Sequence, residues 1–234
     1  DVQSIAYGGG DNEAGTVTFY GGGTLTFSEI ENIAFAGPVD GTAGDDVMLP
    51  GFVDANGDQI DGADGNDDTI FGYAGNDEIQ AGDGNDLVEG GVGDDSLHGD
   101  LGNDTILSGT GEDFVSGGDG NDSITNEGGY DYTYGGDGND TIEGAGAVWG
   151  DAGNDLIDFT NSTVEALPNQ ADGGDGNDTI LGGDTTDDIV YLSAGNDSFS
   201  GGGNTAYADW VSARDLTQGA NIDLSTGIAT FDVN

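Results

Sequence analysis

The sequence predicts an all-β solenoid, a flattened coil of short strands joined by tight acidic turns, on three observations. A nine-residue phrase recurs through the middle of the chain, as in Gly117-Gly118-Asp119-Gly120-Asn121-Asp122-Ser123-Ile124-Thr125 and again from Gly135 to Glu143. Each copy ends in a polar–aliphatic–polar triplet, the alternation of a three-residue strand with one inward side chain. The phrase is too short for a helix pair or a propeller blade, and self-similarity at a short fixed period is the mark of a solenoid.

The parts of the phrase have separate roles. Its first six residues are rich in Gly because a tight turn needs positive φ and close backbone approach. Its sixth residue is almost always Asp. Two such half-turns make one coil with a core ladder of Ile, Leu and Val. The turns then stack Asp carboxylates beside freed main-chain carbonyls, an oxygen-only anionic setting suited to Ca2+, which takes roughly six to eight oxygens.

The phrase resembles the Gly-Gly-x-Gly-x-Asp-x-U-x nonapeptide of the RTX (repeats-in-toxin) family, over roughly residues 41–203. The resemblance implies a right-handed parallel β-roll that binds Ca2+ between turns, within a larger protein exported by a type I secretion system.

Composition agrees with a metal-closed fold. The 234 residues include 48 Gly and 47 Asp plus Glu, against one basic side chain, Arg214, for a formal net charge of −46. Such acidity ordinarily argues for disorder, but here the acids sit at fixed positions beside periodic aliphatics. Roughly a dozen Ca2+ would cancel about half of the charge and turn repelling loops into crosslinks. The absence of a basic patch argues against binding nucleic acid or an anionic membrane. There are no cysteines, and no apolar run has the length of a membrane span. A start at Asp1 and a stop in strand-like sequence read as a piece of a longer extracellular protein, secreted or held at the cell surface.

Taken in order, residues 1–40 read as an N-terminal β cap. Thr16–Tyr20 and Thr24–Phe27 alternate around Gly21-Gly22-Gly23 as a hairpin, covering the open end of the coil as solenoids need. Residues 41–203 are the roll. Its first repeat places Asp46, and a longer half-turn follows with Asp54, Asn56, Asp58 and Asp61. These resemble short Asp-rich calcium loops and are expected either to hold a separate Ca2+ or to form a polar bulge.

From residue 62 the turns alternate in quality. The Gly-Asn-Asp cores recur mostly at eighteen or nineteen residues, so one edge should carry a near-complete calcium column through Asp67, Asp86, Asp104, Asp122, Asp140, Asp155, Asp178 and Asp197. The other edge, through Asp58, Asp77, Asp95, Asp113 and Asp131, is weaker and fails near Gly144–Trp149. Asp187 is a further candidate ligand late in the chain. The stretch of about 159–172 lacks the repeat and should be an excursion on the weaker edge, with a helical turn ended by Pro168. Trp149, Phe159 and Leu167 there form either an exposed patch or local packing. Residues 204–234 read as a C-terminal β cap or the start of a next module, with Asn221–Phe231 as a second hairpin or as strands awaiting that module.

Carboxylate pairs are so abundant that a glycosidase-like dyad could be drawn anywhere, which removes its value. A catalytic acid needs a raised pKa, whereas cations beside these Asp side chains would lower it. His98 points outward without a second His or Cys, and no nucleophile, zinc or phosphate-loop motif is present. The reading is a non-enzymatic Ca2+-binding module of a stalk, surface layer or adhesin, adjoining neighbouring modules or other copies. A folding module attached to a secreted enzyme or toxin is the first alternative. Ca2+-dependent glycan binding through Tyr130, Tyr132 and Tyr134 is the second.

Overall fold

The computed structural model describes residues 2–7, 14–19, 24–28, 37–61, 66–162, 167–183, 187–202, 208–213, 221–223 and 228–233. Two compact units divide the chain, Asp1–Phe35 and Ala36–Asn234. The first is an antiparallel three-stranded sheet, β1 (Val2–Tyr7), β2 (Ala14–Phe19) and β3 (Thr24–Ser28), in that order. β2 and β3 pair Thr16 with Thr26 and Val17 with Leu25, the arms of the expected hairpin, and β1 is an addition.

The second unit is a parallel β-roll. Its strands alternate between two ten-stranded sheets. One contains β4 (Val39–Asp40), β6 (Thr69–Ala74), β8 (Leu87–Val92), β10 (Thr105–Thr110), β12 (Ser123–Thr125), β14 (Thr141–Glu143), β16 (Leu156–Asp158), β18 (Thr179–Leu181), β20 (Ser198–Ser200) and β22 (Asn221–Asp223). The other contains β5 (Val47–Met48), β7 (Glu78–Asp83), β9 (Ser96–Leu101), β11 (Phe114–Asp119), β13 (Asp131–Asp137), β15 (Gly146–Ala152), β17 (Asn169–Asp172), β19 (Asp188–Leu192), β21 (Ala208–Ala213) and β23 (Ile228–Val233). Every neighbouring pair within these two sheets is parallel, and Ile106 pairs with Val88 on one side and Ile124 on the other.

Identical stacking buries one ladder per sheet. Ile70, Val88, Ile106, Ile124, Ile142, Ile157, Ile180 and Phe199 line one wall of the core, and Met48, Ile79, Leu97, Val115, Val148, Ala171, Val190 and Val211 line the other. Thr133 occupies the second ladder's place in β13 and is fully buried, its Oγ1 accepting from Asn126 Nδ2 at 3.0 Å. Many strands are six residues long rather than three, because the chain stays extended through the glycines that open the next turn, as where Gly109 pairs with Gly91.

At two places the structure decides between the alternatives. Asn221–Asp223 and Ile228–Val233 do not form a hairpin: each pairs in parallel with a strand of the preceding turn. Alternation reports only that one face is buried, and here the partner is a stacked turn. Phe159 belongs to the core at 1% exposure, whereas Leu167 is exposed, so no shared patch forms. The excursion leaves β16 and returns in β17, on the weaker edge as expected. Most of the segment assigned a helical turn, residues 163–166, lies outside the described residues.

Candidate calcium-binding edges

Each turn delivers its Asp two residues before the inward side chain of the next strand, as Asp104 precedes Ile106 and Asp113 precedes Val115. The carboxylate is therefore swept under the turn and stacked on its counterpart one coil away. Along the first edge the Asp68 N–H donates to Asp86 Oδ1 at 2.7 Å, Asp86 to Asp104 at 2.8 Å, Asp104 to Asp122 at 2.8 Å and Asp122 to Asp140 at 2.8 Å. The chain of bonds continues through Asp155, Asp178 and Asp197. The second edge repeats it from Asp46 through Asp77, Asp95 and Asp113 to Asp131.

One carboxylate oxygen is thus engaged and the other is left over. Oδ2 of Asp77, Asp86, Asp95, Asp104, Asp113, Asp122, Asp131, Asp140, Asp155, Asp178, Asp197 and Asp209 is buried without a hydrogen-bond partner. An orphaned buried anionic oxygen is costly, and twelve in register call for a shared cause. The space before them is kept clear by glycine. A Cβ on Gly117 would stand 2.5 Å from the Gly135 carbonyl oxygen and press on the Asp122 carboxylate; Gly99, Gly135, Gly150 and Gly173 are equally confined by their own Asp.

The electrostatics point the same way. Asp86, Asp131, Asp155 and Asp188 are pushed up to about 7, and Asp95, Asp104, Asp122 and Asp178 to about 6. Burial is the leading cause; a hydrogen bond into the carboxylate opposes it, and nearby carboxylates add repulsion. Without a cation these groups rise, against the lowering expected of them with one bound. Because whole columns share the rise, it singles out no acid–base pair.

Orphan carboxylate oxygens beside main-chain carbonyls fit Ca2+, a hard cation bound by oxygen. No imidazole or thiolate joins them, as zinc would require. Among the described residues no three acidic, His or Cys side chains converge on one point, so a site must combine carboxylates with carbonyls.

The structure also sorts the candidate ligands. Asp67 is not in the carboxylate column: its Oδ1 accepts the Asn85 N–H at 2.8 Å and heads an exposed ladder of Asn85, Asn103, Asn121, Asn139, Asn154, Asn177 and Asn196. Asp68 takes the column position. Likewise Asp188, fully buried, stands where Asp187 was expected, and Asp209 extends the second edge. Asp46 is in line, although its Oδ2 already accepts the Thr42 N–H at 2.6 Å.

Asp54, Asn56, Asp58 and Asp61 make hydrogen bonds of their own, and Asn56 Nδ2 donates to Asp54 Oδ2 at 3.5 Å. Asp54 Oδ1 accepts the N–H groups of Asn56, Gly57 and Asp58, Asp58 accepts from Gly37, and Asp61 accepts from Asp83. His98 faces outward against Phe114, 5.6 Å between centroids.

Residues 62–97, 98–133 and 172–205 match the family model of the RTX calcium-binding nonapeptide repeat. The protein carries RTX calcium-binding repeats. The unmatched stretch between those segments contains the two places where the second RTX edge departs from its pattern. Gly146 stands in the Asp position, and in the following turn Asn169 does, its Oδ1 accepting the Gly146 N–H at 3.3 Å. A search of curated proteins found no match.

Proposed function

We propose that the chain is a non-enzymatic structural module of an extracellular protein, a roll that closes when Ca2+ fills its two edges. The observation that carries this is the two columns of buried, unpartnered Asp Oδ2 atoms, twelve among the described residues. Neutralising them links each turn to the next, so binding free energy becomes folding free energy. Proteins with this repeat are typically exported by type I secretion. A chain that is held open at low calcium and closes in calcium-rich medium suits that route. We read the roll as a stiff spacer in a stalk, surface layer or adhesin, with roughly a dozen ions along it. Attachment to a secreted enzyme or toxin is the alternative, and the flanking sequence of the whole gene product decides between them.

The glycan reading draws less support. Tyr134 stacks on Trp149 at 4.7 Å and 9°, and the Tyr130 hydroxyl donates to the Pro168 carbonyl at 3.3 Å and accepts from Gln170 at 2.9 Å. These aromatics are engaged with the roll itself.

The test is a calcium titration of chelated protein followed by far-UV circular dichroism. A cooperative gain of β signal that Mg2+ does not reproduce is expected. A chain fully folded in chelator would refute the folding switch.

A further inference from the structure

The outward face of the sheet containing β13 and β15 carries a run of rings that is interrupted after β15. His98, Phe114, Tyr134 and Trp149 follow one another at centroid distances of 5.6, 5.7 and 4.7 Å. At the next strand the register places Asp172 beside Trp149. One indole face is thus covered by Tyr134, from the strand before. On its other side lies a cleft of about 430 Å3, lined by Trp149, Asp151, Ala152, Asp172, Gly174, Asp175 and Ser193.

We propose that this cleft binds an alkylammonium group, with the Trp149 indole as its wall and Asp172, assisted by Asp151 and Asp175, as its counter-charge. An organic cation over an indole face is attracted within roughly 6 Å of the ring, most strongly for Trp. The only Lys or Arg in the chain is Arg214, so the acids lack a nearby internal counter-ion among the described residues. Among the described residues no three carboxylates converge on one point, which leaves room for a larger, diffuse cation. The Asp172 carboxylate has one oxygen steadied by the Gly174 N–H at 3.3 Å. Ser193 is tied to the Gly174 carbonyl and braces the floor.

The experiment uses the full, calcium-saturated, 15N-labelled chain. Tetramethylammonium chloride and n-butylamine hydrochloride are titrated separately, with NaCl at equal ionic strength as the control, while the Trp149 indole N–H and Ala152 amide resonances are followed. A saturable shift with either amine, absent with NaCl, is expected, and the tighter of the two says whether the natural source is quaternary or lysine-like. Asp172→Asn should weaken it about threefold or more, and Trp149→Leu should abolish it at the Ala152 amide. A shift that never saturates, that NaCl reproduces, or that Asp172→Asn leaves unchanged overturns the proposal. If circular dichroism shows Trp149→Leu misfolded, the Asp172→Asn comparison decides. Calcium-induced folding is read separately, so loss of ammonium binding leaves the RTX assignment standing.

Discussion

The two edges of the roll are made from the same phrase, yet only one is continuous. The first holds a carboxylate in every turn from Asp68 to Asp197. The second runs from Asp46 to Asp131, meets Gly146 and Asn169, and resumes at Asp188 and Asp209. At the break the vacancy is filled by neutral groups. Asn169 Nδ2 donates to Asp188 Oδ1 at 3.1 Å, and a cavity of about 20 Å3, large enough for one water, opens beside the buried Asn126. A coil therefore tolerates the loss of a carboxylate on one side, provided that the backbone donors above and below find other acceptors and the opposite edge stays intact.

The harshest way to break this contrast is to crowd a turn. Gly117→Ala puts a methyl against the Gly135 carbonyl and the Asp122 carboxylate, whereas at Gly128, on the second edge, the nearest atom is Thr110 Cγ2 at 3.5 Å. Gly117→Ala should cost about 3 kcal/mol or prevent closure, and Gly128→Ala under about 1 kcal/mol, in calcium-saturated denaturant titrations. The second edge is as tight where glycine holds the same place, as at Gly90 before Asp95, so equal losses at Gly117 and Gly128 would mean that contact with the Asp carboxylate does not decide the cost.

Asp122 separates the two roles of the carboxylate. Asp122→Asn retains an acceptor for the Asp104 N–H but removes the charge, so calorimetry should count at least one ion fewer and show a higher calcium midpoint. Asp122→Ala also strands that buried N–H, at a further cost of about 1–3 kcal/mol. Indistinguishable variants would show that the hydrogen bond of 2.8 Å contributes nothing.

Restoring the second edge should sharpen the comparison. Asn169→Asp replaces a donor facing Asp188 with a second carboxylate, so the metal-free chain should be destabilised by about 1–3 kcal/mol, while calcium recovers more than that difference. Loss in both conditions would mean that the break cannot accept an ion.

The mildest lever is pH in chelator. The folded carboxyls lie at about 6–7 for Asp104 and Asp86, above an unfolded value near 3.9. The folded state then holds protons that the unfolded state releases, so metal-free stability is greatest below about pH 4 and declines as pH rises towards 7. Residual β signal in chelator should be larger at pH 5 than at pH 7.5. The opposite trend would show that these groups are not buried in the apo chain.

Much of this was legible in the sequence, because period, turn glycines and inward aliphatics all report one backbone geometry. The unequal edges, the gap at Gly144–Trp149 and the side on which the excursion lies followed from spacing alone. The errors fell where two Asp residues adjoin. Between Asp67 and Asp68, or Asp187 and Asp188, composition cannot choose. Counting two residues back from the buried Ile70, Val190 and Val211 selects Asp68, Asp188 and Asp209. Asn169 escaped notice because a neutral residue breaks the acidic pattern while keeping its place two before Ala171. The loop at Asp54–Asp61 stayed open between an ion site and a polar bulge for another reason: its carboxylates serve backbone amides within and beside the loop, which resembles a metal site when only side chains are counted.

The hand of the Asp-to-Asp bond along each edge has a lasting consequence. Every amide in the column gives its proton to the carboxylate one coil nearer the C-terminus, as Asp104 does to Asp122. A stack of such turns is polar along its length, with acceptors facing one way and donors the other. A turn added at the N-terminal side meets a carboxylate already in place for its amide. A turn added at the C-terminal side must bring that acceptor with it. The two ends of the roll therefore offer different groups to a neighbouring turn, acceptors on the N-terminal side and donors on the C-terminal side.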